Sequence, residues 1–130
     1  MNLQALRSLA DVSVDLFEQS DEGGEGLGLL AGRVRKLEAP TVPHMGWNEL
    51  AFARPSRTLE GLDGADVYFA HSYAVQPDDD DLVVARVDHA GAVVAAVEDG
   101  VLAGVQFHPE RSGAAGARVL ENVLQWSRNA

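Results

Sequence analysis

The chain has 130 residues, 20 acidic against 10 basic side chains, a net charge of −10 and no cysteine. This length fits one domain or part of one, and an apolar share of 46% is too high for a disordered chain. Without cysteine, these residues form no disulfide or thiolate metal site and supply no thiol nucleophile. The negative charge disfavours non-specific binding to nucleic acids. We find neither a signal peptide nor a run of about 20 apolar residues. The acidic charge fits a cytoplasmic protein, which is the location we expect.

The N-terminal third is expected to begin with a helix. Leucines recur at helical spacing through residues 2–19, and the glycine-rich stretch 23–28 ends that pattern. Val12-Ser13-Val14 alternates instead, so the alternative is that this segment forms two separate pieces. Residues 32–37 predict a short strand with one polar face. Pro40 and Pro43 bracket a segment that should be extended, because proline disfavours helical backbone in the residue before it.

The C-terminal part is rich in predicted strands, at 66–73, 82–87, 92–97 and 101–107. Asp99-Gly100 favours a hairpin turn between the last two strands. A final helix is expected from Gly113, with an apolar stripe of Val119, Leu120, Val123, Leu124 and Trp126. This order of elements predicts an α/β fold with an antiparallel C-terminal part, and so thin a sheet suggests an incomplete unit.

The sharpest local motif is His108-Pro109-Glu110, which follows an apolar strand. Proline stops the strand's ladder, so the side chains on either side of it project from a defined turn. A carboxylate beside an imidazole sets its tautomer and raises its basicity, as a general base requires. A surface turn with a chance His and Glu is the alternative.

Two further segments are candidates for binding. Trp47, with Met45 beside it, is typical of an interface anchor, although Trp47 could instead pack on the core. His71-Ser72-Tyr73 closes the strongest predicted strand, and ligands bind at such strand ends in α/β sheets. The alternative is an ordinary half-buried strand terminus.

Other motifs are weak. The four histidines lack metal-ligand spacing, so we expect no metal site. The glycines at 26–28 neither follow a predicted strand nor open a helix, which argues against dinucleotide binding. Asp78 to Asp81 lack the spacing of a calcium loop and fit a solvated acidic turn.

Five segments, in this order, resemble the glutamine amidotransferase subunit of imidazole glycerol phosphate synthase, a class I glutamine amidotransferase of histidine biosynthesis: 16–23, 26–29, 43–48, 69–73 and 104–112. The Phe-His-Pro-Glu turn is shared by class I amidotransferases generally. The Pro-His-Met-Gly-Trp-Asn block is much more specific to this subunit. The resemblance covers residues 16 to about 127 and implies a flavodoxin-like α/β domain with no cofactor.

The resemblance also implies roles within a Cys-His-Glu triad. His108 would be the general base and Glu110 its orienter. The His71, Ser72 and Tyr73 strand end would help to hold glutamine. The partner would be the cyclase subunit, which is a (β/α)₈ barrel that receives the ammonia. The surface that meets it would include Met45, Trp47, Asn48 and Arg111.

The chain departs from the family at the nucleophile. Members carry a Gly-X-Cys-X-Gly elbow before the segment at 16–23, and Ala10 stands where its cysteine would be. Ser13 is three positions away and a poor substitute. We therefore expect residues 1–15 to be a divergent or unrelated segment, and 16–130 to be the C-terminal part of an N-terminally truncated amidotransferase domain.

Without a thiolate no acyl-enzyme can form, so we predict no glutaminase activity from this chain alone. One alternative is a non-catalytic module that binds the cyclase. Others are a fragment of another class I amidotransferase and a metal-binding fold that uses the histidines, and the block at 43–48 argues against these two.

Overall fold

The computed structural model describes the backbone of residues 6–8, 17–20, 30–38, 40, 42–100 and 102–128, and side chains from residue 32 onward within those ranges. Its strands are β1 (Leu6–Ser8), β2 (Phe17–Ser20), β3 (Leu30–Lys36), β4 (His44–Glu49), β5 (Ala51–Phe52), β6 (Asp66–His71), β7 (Tyr73–Pro77), β8 (Val83–Asp88), β9 (Ala92–Asp99) and β10 (Leu102–Val105). Short 3₁₀ turns cover Asp80–Leu82 and Pro109–Arg111, and helix α1 covers Gly113–Arg128. Within these described ranges, no helix is long and apolar enough to cross a membrane.

The strands form three sheets. The largest has the order β1-β10-β9-β8-β5, in which β1 runs parallel to β10 and the other neighbours are antiparallel. A second sheet has the order β2-β3-β7, and β4 pairs with β6 as an antiparallel two-stranded sheet. Parallel and antiparallel pairs together, with a helix beside them, confirm the predicted α/β class.

The hairpin between β9 and β10 lies where the sequence predicts it. Leu102 pairs with Asp99, and Gly100 has a φ of +59°, in the left-handed region that glycine enters without strain. The chain therefore reverses at once, and β10 runs back beside β9. This brings the end of β10 to the turn that carries His108.

The core lies between the large sheet, β6 and α1. Phe69 and Phe107 meet there with ring centroids 6.0 Å apart, and α1 contributes Val119, Val123 and Trp126. The predicted apolar stripe of α1 is wrong at two positions, because Leu120 and Leu124 are exposed. They lie one residue beyond Val119 and Val123, where the 3.6-residue period turns their side chains away from the core.

The helix predicted over residues 2–19 is wrong where the structure describes it. Leu6–Ser8 is strand β1, with Leu6 opposite Ala103, and Phe17–Ser20 is strand β2, with Phe17 opposite Leu30. Pairing with strands far along the chain overrides the local leucine spacing. The remainder of that segment, including Ala10 and Ser13, lies outside the described residues, as do residues 21–29.

Two other boundaries differ from the expectation. The strand predicted over 66–73 is divided at Ser72, because β6 pairs with β4 whereas β7 pairs with β3. The strand predicted over 101–107 ends at Val105. Gln106 and Phe107 are buried in the bend that leads to His108.

A buried carboxylate fixes the loop that follows β5. Glu98, only 7% exposed at the end of β9, accepts hydrogen bonds from the Ser56 hydroxyl, from the Arg57 and Thr58 backbone N–H groups and from the Thr58 hydroxyl. Four donors replace the water that a buried carboxylate loses. The loop is thereby tied to the large sheet.

Candidate functional site

A histidine–carboxylate pair lies just beyond the end of β10. The Nδ1 atom of His108 is 2.9 Å from Oε1 of Glu110, and the short 3₁₀ turn Pro109–Arg111 holds the two residues together. The His108 side chain is mostly buried, whereas Glu110 is mostly exposed. The structure therefore brings together the two residues that the sequence predicts as base and orienter.

The hydrogen bond between His108 and Glu110 has a defined direction. A carboxylate oxygen accepts, so Nδ1 of His108 donates its hydrogen to Glu110. In neutral imidazole, Nε2 then keeps a free electron pair and can accept a proton. The carboxylate stabilises the imidazolium that results, which is the arrangement of a general base and its orienting group.

Three contacts attach this turn to the rest of the fold. The His108 backbone N–H donates to the Tyr68 carbonyl, 2.9 Å away. The Ser112 hydroxyl donates to the His108 carbonyl and accepts from the Tyr68 backbone N–H, at 2.7 and 3.0 Å. At Gly116, a Cβ atom would overlap the Pro109 carbonyl. The turn thus depends on close approach by α1, and neither Ser112 nor Gly116 is recognisable as an anchor from the sequence.

An exposed surface, which we call the docking surface, lies beside the turn and comprises Met45, Trp47, Tyr68 and Arg111. Met45 and Trp47 project from β4 and are 63% and 58% exposed. The Tyr68 ring meets Trp47 edge-on at 6.0 Å between centroids, and the Arg111 guanidinium lies 5.9 Å from the Tyr68 ring centroid. Exposed aromatic side chains next to an arginine are typical of binding hot spots.

Sequence reasoning missed Tyr68 as a member of this surface. The missed signal is the alternation along β6, where the neighbours Val67 and Phe69 are fully buried and Tyr68 must face the other way. The register of β6 against β4 then places Tyr68 directly opposite Trp47.

Asn48 occupies a different face of β4 from Met45 and Trp47. Met45 and Trp47 alternate along β4 with the more buried positions 44, 46 and 48. The Asn48 amide donates to the Asp88 carbonyl at 2.9 Å and lies 3.3 Å from Nε2 of His44. Its polar atoms therefore have partners within the chain.

The segment predicted to hold glutamine lies where β6 passes into β7. The Ser72 carbonyl accepts from the Leu37 backbone N–H at 2.8 Å, and Tyr73 pairs with Lys36 of β3. His71 is buried, and its Nδ1 atom lies 2.7 Å from the Tyr73 carbonyl oxygen. The three residues thus form a junction between two sheets, stabilised through backbone atoms.

A cluster of imidazole rings lies behind β4. Nδ1 of His44 is 2.7 Å from Nε2 of His71, and the His44 ring stacks on His89 at 4.0 Å between centroids. Burial, together with the charges that His71 and His89 would carry, lowers the pKa of His44 from its usual 6.5 to about 4. Burial also lowers the pKa of His71. This effect is larger than that of the hydrogen bond to the Tyr73 carbonyl, which raises the pKa.

The hydrogen bond between His44 and His71 does not suit the binding of a metal ion. A metal needs a free electron pair from each imidazole, and His44 and His71 use ring nitrogens on one another. Across the part of the chain that the structure describes, no group of three or more His, Asp or Glu side chains is arranged to hold a metal ion.

Comparison with known proteins identifies the family. Residues 22–126 match the family "Glutamine amidotransferase class-I". The chain is 48% identical over 118 residues to "Imidazole glycerol phosphate synthase subunit HisH" of Geobacillus kaustophilus, covering 84% of this chain and 56% of that protein. The HisH protein of Xylella fastidiosa is 53% identical over 115 residues, covering 85% and 56%. The chain thus spans about half the length of these curated relatives.

Solved structures support the same fold. A Thermotoga maritima structure described as PurLQS is similar with a TM-score of 0.63 and 23% identity, covering 77% of this chain and 55% of that one. A Thermoplasma acidophilum protein described as a putative GMP synthase subunit gives a TM-score of 0.58 and 18% identity, covering 72% and 47%. The chain belongs to the class I glutamine amidotransferase family.

Proposed function

We propose that this chain supplies the base, the orienting carboxylate and the docking surface of the glutaminase subunit of imidazole glycerol phosphate synthase. In this role it would serve a cyclase partner in histidine biosynthesis, with glutamine as the substrate and a cytoplasmic location. The relatives carry that subunit name, which supports the assignment at 48–53% identity. The observation that carries the proposal is the His108–Glu110 hydrogen bond of 2.9 Å beside the docking surface.

The chemistry of the pair suits amide hydrolysis through a thiol. His108 would take the proton of a cysteine thiol through Nε2, and the resulting thiolate would attack the glutamine side-chain carbonyl. His108 would then return that proton to the amide nitrogen as the C–N bond breaks, so that ammonia leaves, and water would hydrolyse the remaining thioester to release glutamate. Because the sequence contains no cysteine, this chain by itself lacks the attacking group.

The first test measures ammonia release from glutamine by the purified chain. We expect no activity above that of buffer, with or without the cyclase subunit. Activity that disappears in the His108→Ala variant would refute this expectation, because it would show that another residue replaces the thiol.

The second test measures docking on the cyclase subunit by tryptophan fluorescence. The sequence has two tryptophans, of which Trp126 is buried and Trp47 exposed. In a Trp126→Phe variant, Trp47 becomes the only reporter of the docking surface. We expect saturable 1:1 binding with a shift of its emission to shorter wavelength, because docking removes the ring from water.

A matched pair of variants checks where docking occurs. We expect Trp47→Ala to weaken binding about 30-fold, which corresponds to a hot-spot loss of about 2 kcal/mol. Leu124→Ala changes an exposed apolar residue of α1 that is not a member of this surface, and we expect this variant to bind normally. Equal affinities for the two variants, measured by calorimetry, would place the interface elsewhere.

A non-catalytic module that binds the cyclase is the second candidate, and the cysteine-free sequence favours it. Both candidates predict docking through Trp47. They differ in whether His108 acts as a base once a thiol is present, and a chimera that supplies the thiol decides between them.

A further inference from the structure

The hydrogen bonds around the imidazole cluster run in one direction. The Tyr73 carbonyl can only accept, so Nδ1 of His71 carries a hydrogen. In neutral His71, Nε2 is then an acceptor, and the facing Nδ1 of His44 must be the donor. This leaves Nε2 of His44 as an acceptor.

The Asn48 amide completes the sequence of donors. Its Oδ1 accepts from the Glu49 backbone N–H at 2.8 Å, and its Nδ2 donates to the Asp88 carbonyl at 2.9 Å. These two bonds fix which end of the amide is nitrogen. The second hydrogen of Nδ2 therefore faces Nε2 of His44, 3.3 Å away.

We propose that Asn48 is a positioning residue, which acts through neutral His44 and His71 to hold the Tyr73 carbonyl in place relative to strand β4. Each step of this Asn48–His44–His71–Tyr73 chain has one donor and one acceptor. It links strand β4, which carries Met45 and Trp47, to the junction of β6 and β7.

The hydrogen bonds from Asn48 through His44 and His71 to Tyr73 bridge the point where two sheets separate. His44 and His71 lie opposite one another in the β4–β6 register, and after Ser72 the backbone joins β3 instead. The backbone bond from Leu37 to Ser72 ties the junction to β3, whereas the imidazoles tie it to β4. If the proposed function holds, this bridge connects the glutamine-binding segment with the docking strand.

The surroundings favour uncharged rings. His44 is stacked on Phe69 from β6 and on His89 from the turn after β8, and the charge of His108 opposes a charge on His71. A proton added to Nε2 of His71 would face the hydrogen on Nδ1 of His44, so protonation breaks the hydrogen bond between the two rings. Lowered pKa values at both rings agree with this.

Histidine tautomers, observed by long-range ¹H–¹⁵N NMR correlation on the full chain, test the proposal. We expect both His44 and His71 in the Nδ1–H form, and His44 to remain neutral down to about pH 4. An Nε2–H tautomer at either ring, or protonation of His44 near pH 6.5, would overturn the proposal. The experiment uses neither glutamine nor the cyclase, so its outcome is separate from that of the proposed function.

The Asn48→Asp variant gives a second, nearly isosteric test. A carboxylate in place of the amide removes the donor to Nε2 of His44, so His44 should acquire a hydrogen there and the His71 signals should shift. Glu49→Gln changes the charge of the neighbouring exposed residue and should leave both rings unchanged. Unchanged His44 signals in the folded Asn48→Asp variant would refute the proposed role of Asn48. If this variant does not fold, the histidine tautomers of the natural sequence still decide the question.

Discussion

This protein contains two hydrogen-bonded pairs that include histidine, and the partner of the histidine differs between them. His108 faces the carboxylate of Glu110 at the rim of the fold, whereas His44 faces the neutral ring of His71 behind β4. The first partner can stabilise a positive charge on the imidazole. The second cannot, because its accepting nitrogen has no negative charge to offer.

The difference shows that hydrogen-bond partners, and not distance alone, set what a buried or half-buried histidine can do. Both pairs have nitrogen-to-partner distances below 3 Å. Only in the His108 pair does a carboxylate accept from Nδ1 while Nε2 remains able to accept a proton. A general base requires this combination. The His44 pair uses its nitrogens to fix the positions of neighbouring strands.

Gly116→Ala should have the largest effect, and it acts at the turn that carries the His108 pair. The added Cβ would overlap the Pro109 carbonyl, so α1 and the turn would have to separate. We expect a loss of about 3 kcal/mol in the free energy of unfolding, measured by urea denaturation. Ala117→Ser, at an exposed position of α1, is the control, and equal stability of the two variants would contradict the close approach.

Acid should weaken the imidazole cluster through His44. Its pKa is about 4 in the folded chain and near 6.5 when unfolded, so the unfolded state binds more protons between these values. The contribution of neutral His44 to the free energy of unfolding is fully present above pH 6.5 and is lost as the pH falls towards 4. The loss should reach about 2 kcal/mol at pH 5, at 1.36 kcal/mol per unit.

The control for this titration is the His44→Asn, His71→Asn double variant. Its stability should change less between pH 6.5 and pH 5, because the groups that gain protons on unfolding are gone. Parallel stability curves for the variant and the natural sequence would show that the cluster does not resist protonation.

Ser112→Ala should destabilise the turn by a smaller amount. It leaves the Tyr68 backbone N–H without its acceptor and removes the donor to the His108 carbonyl. We expect a loss of about 1.5 kcal/mol in thermal or urea unfolding. Ser112→Thr restores a hydroxyl and should recover most of it, whereas an equal loss in both variants would argue against this role of the hydroxyl.

Glu110→Gln should have the smallest effect on stability. The carboxylate is mostly exposed, and water can replace its bond to His108, so we expect a change within about 0.5 kcal/mol. The tautomer of His108 should nevertheless become mixed in ¹⁵N NMR spectra, since an amide can donate as well as accept. A single unchanged Nδ1–H tautomer would show that Glu110 does not orient the ring.

The sequence predicted the local features of the molecule best. Asp99-Gly100 marks a hairpin because its backbone preference is local, and the turn after β10 is defined by Pro109 within a few residues. The helix expected over residues 2–19 was wrong at β1 and β2 because their partners, β10 and β3, are distant in the sequence or separated by a glycine-rich segment.

The parts of the site that depend on tertiary contacts could not be predicted. Asn48 stands beside Trp47 in the chain, yet alternation along β4 places the two on opposite faces. Gly116 matters only because a carbonyl from another segment approaches it. Glu98 resembles any strand-end carboxylate until the loop at 56–58 folds over it.

Ammonia release by a chimera tests the central claim most directly. The chimera would carry, before residues 16–130, the Gly-X-Cys-X-Gly elbow that the family resemblance implies. We predict glutamine hydrolysis that falls about 1,000-fold in kcat in His108→Ala and is unaffected by Asp78→Asn, an exposed control. A folded, active chimera whose His108→Ala variant keeps full activity would contradict the assignment of His108 as the base.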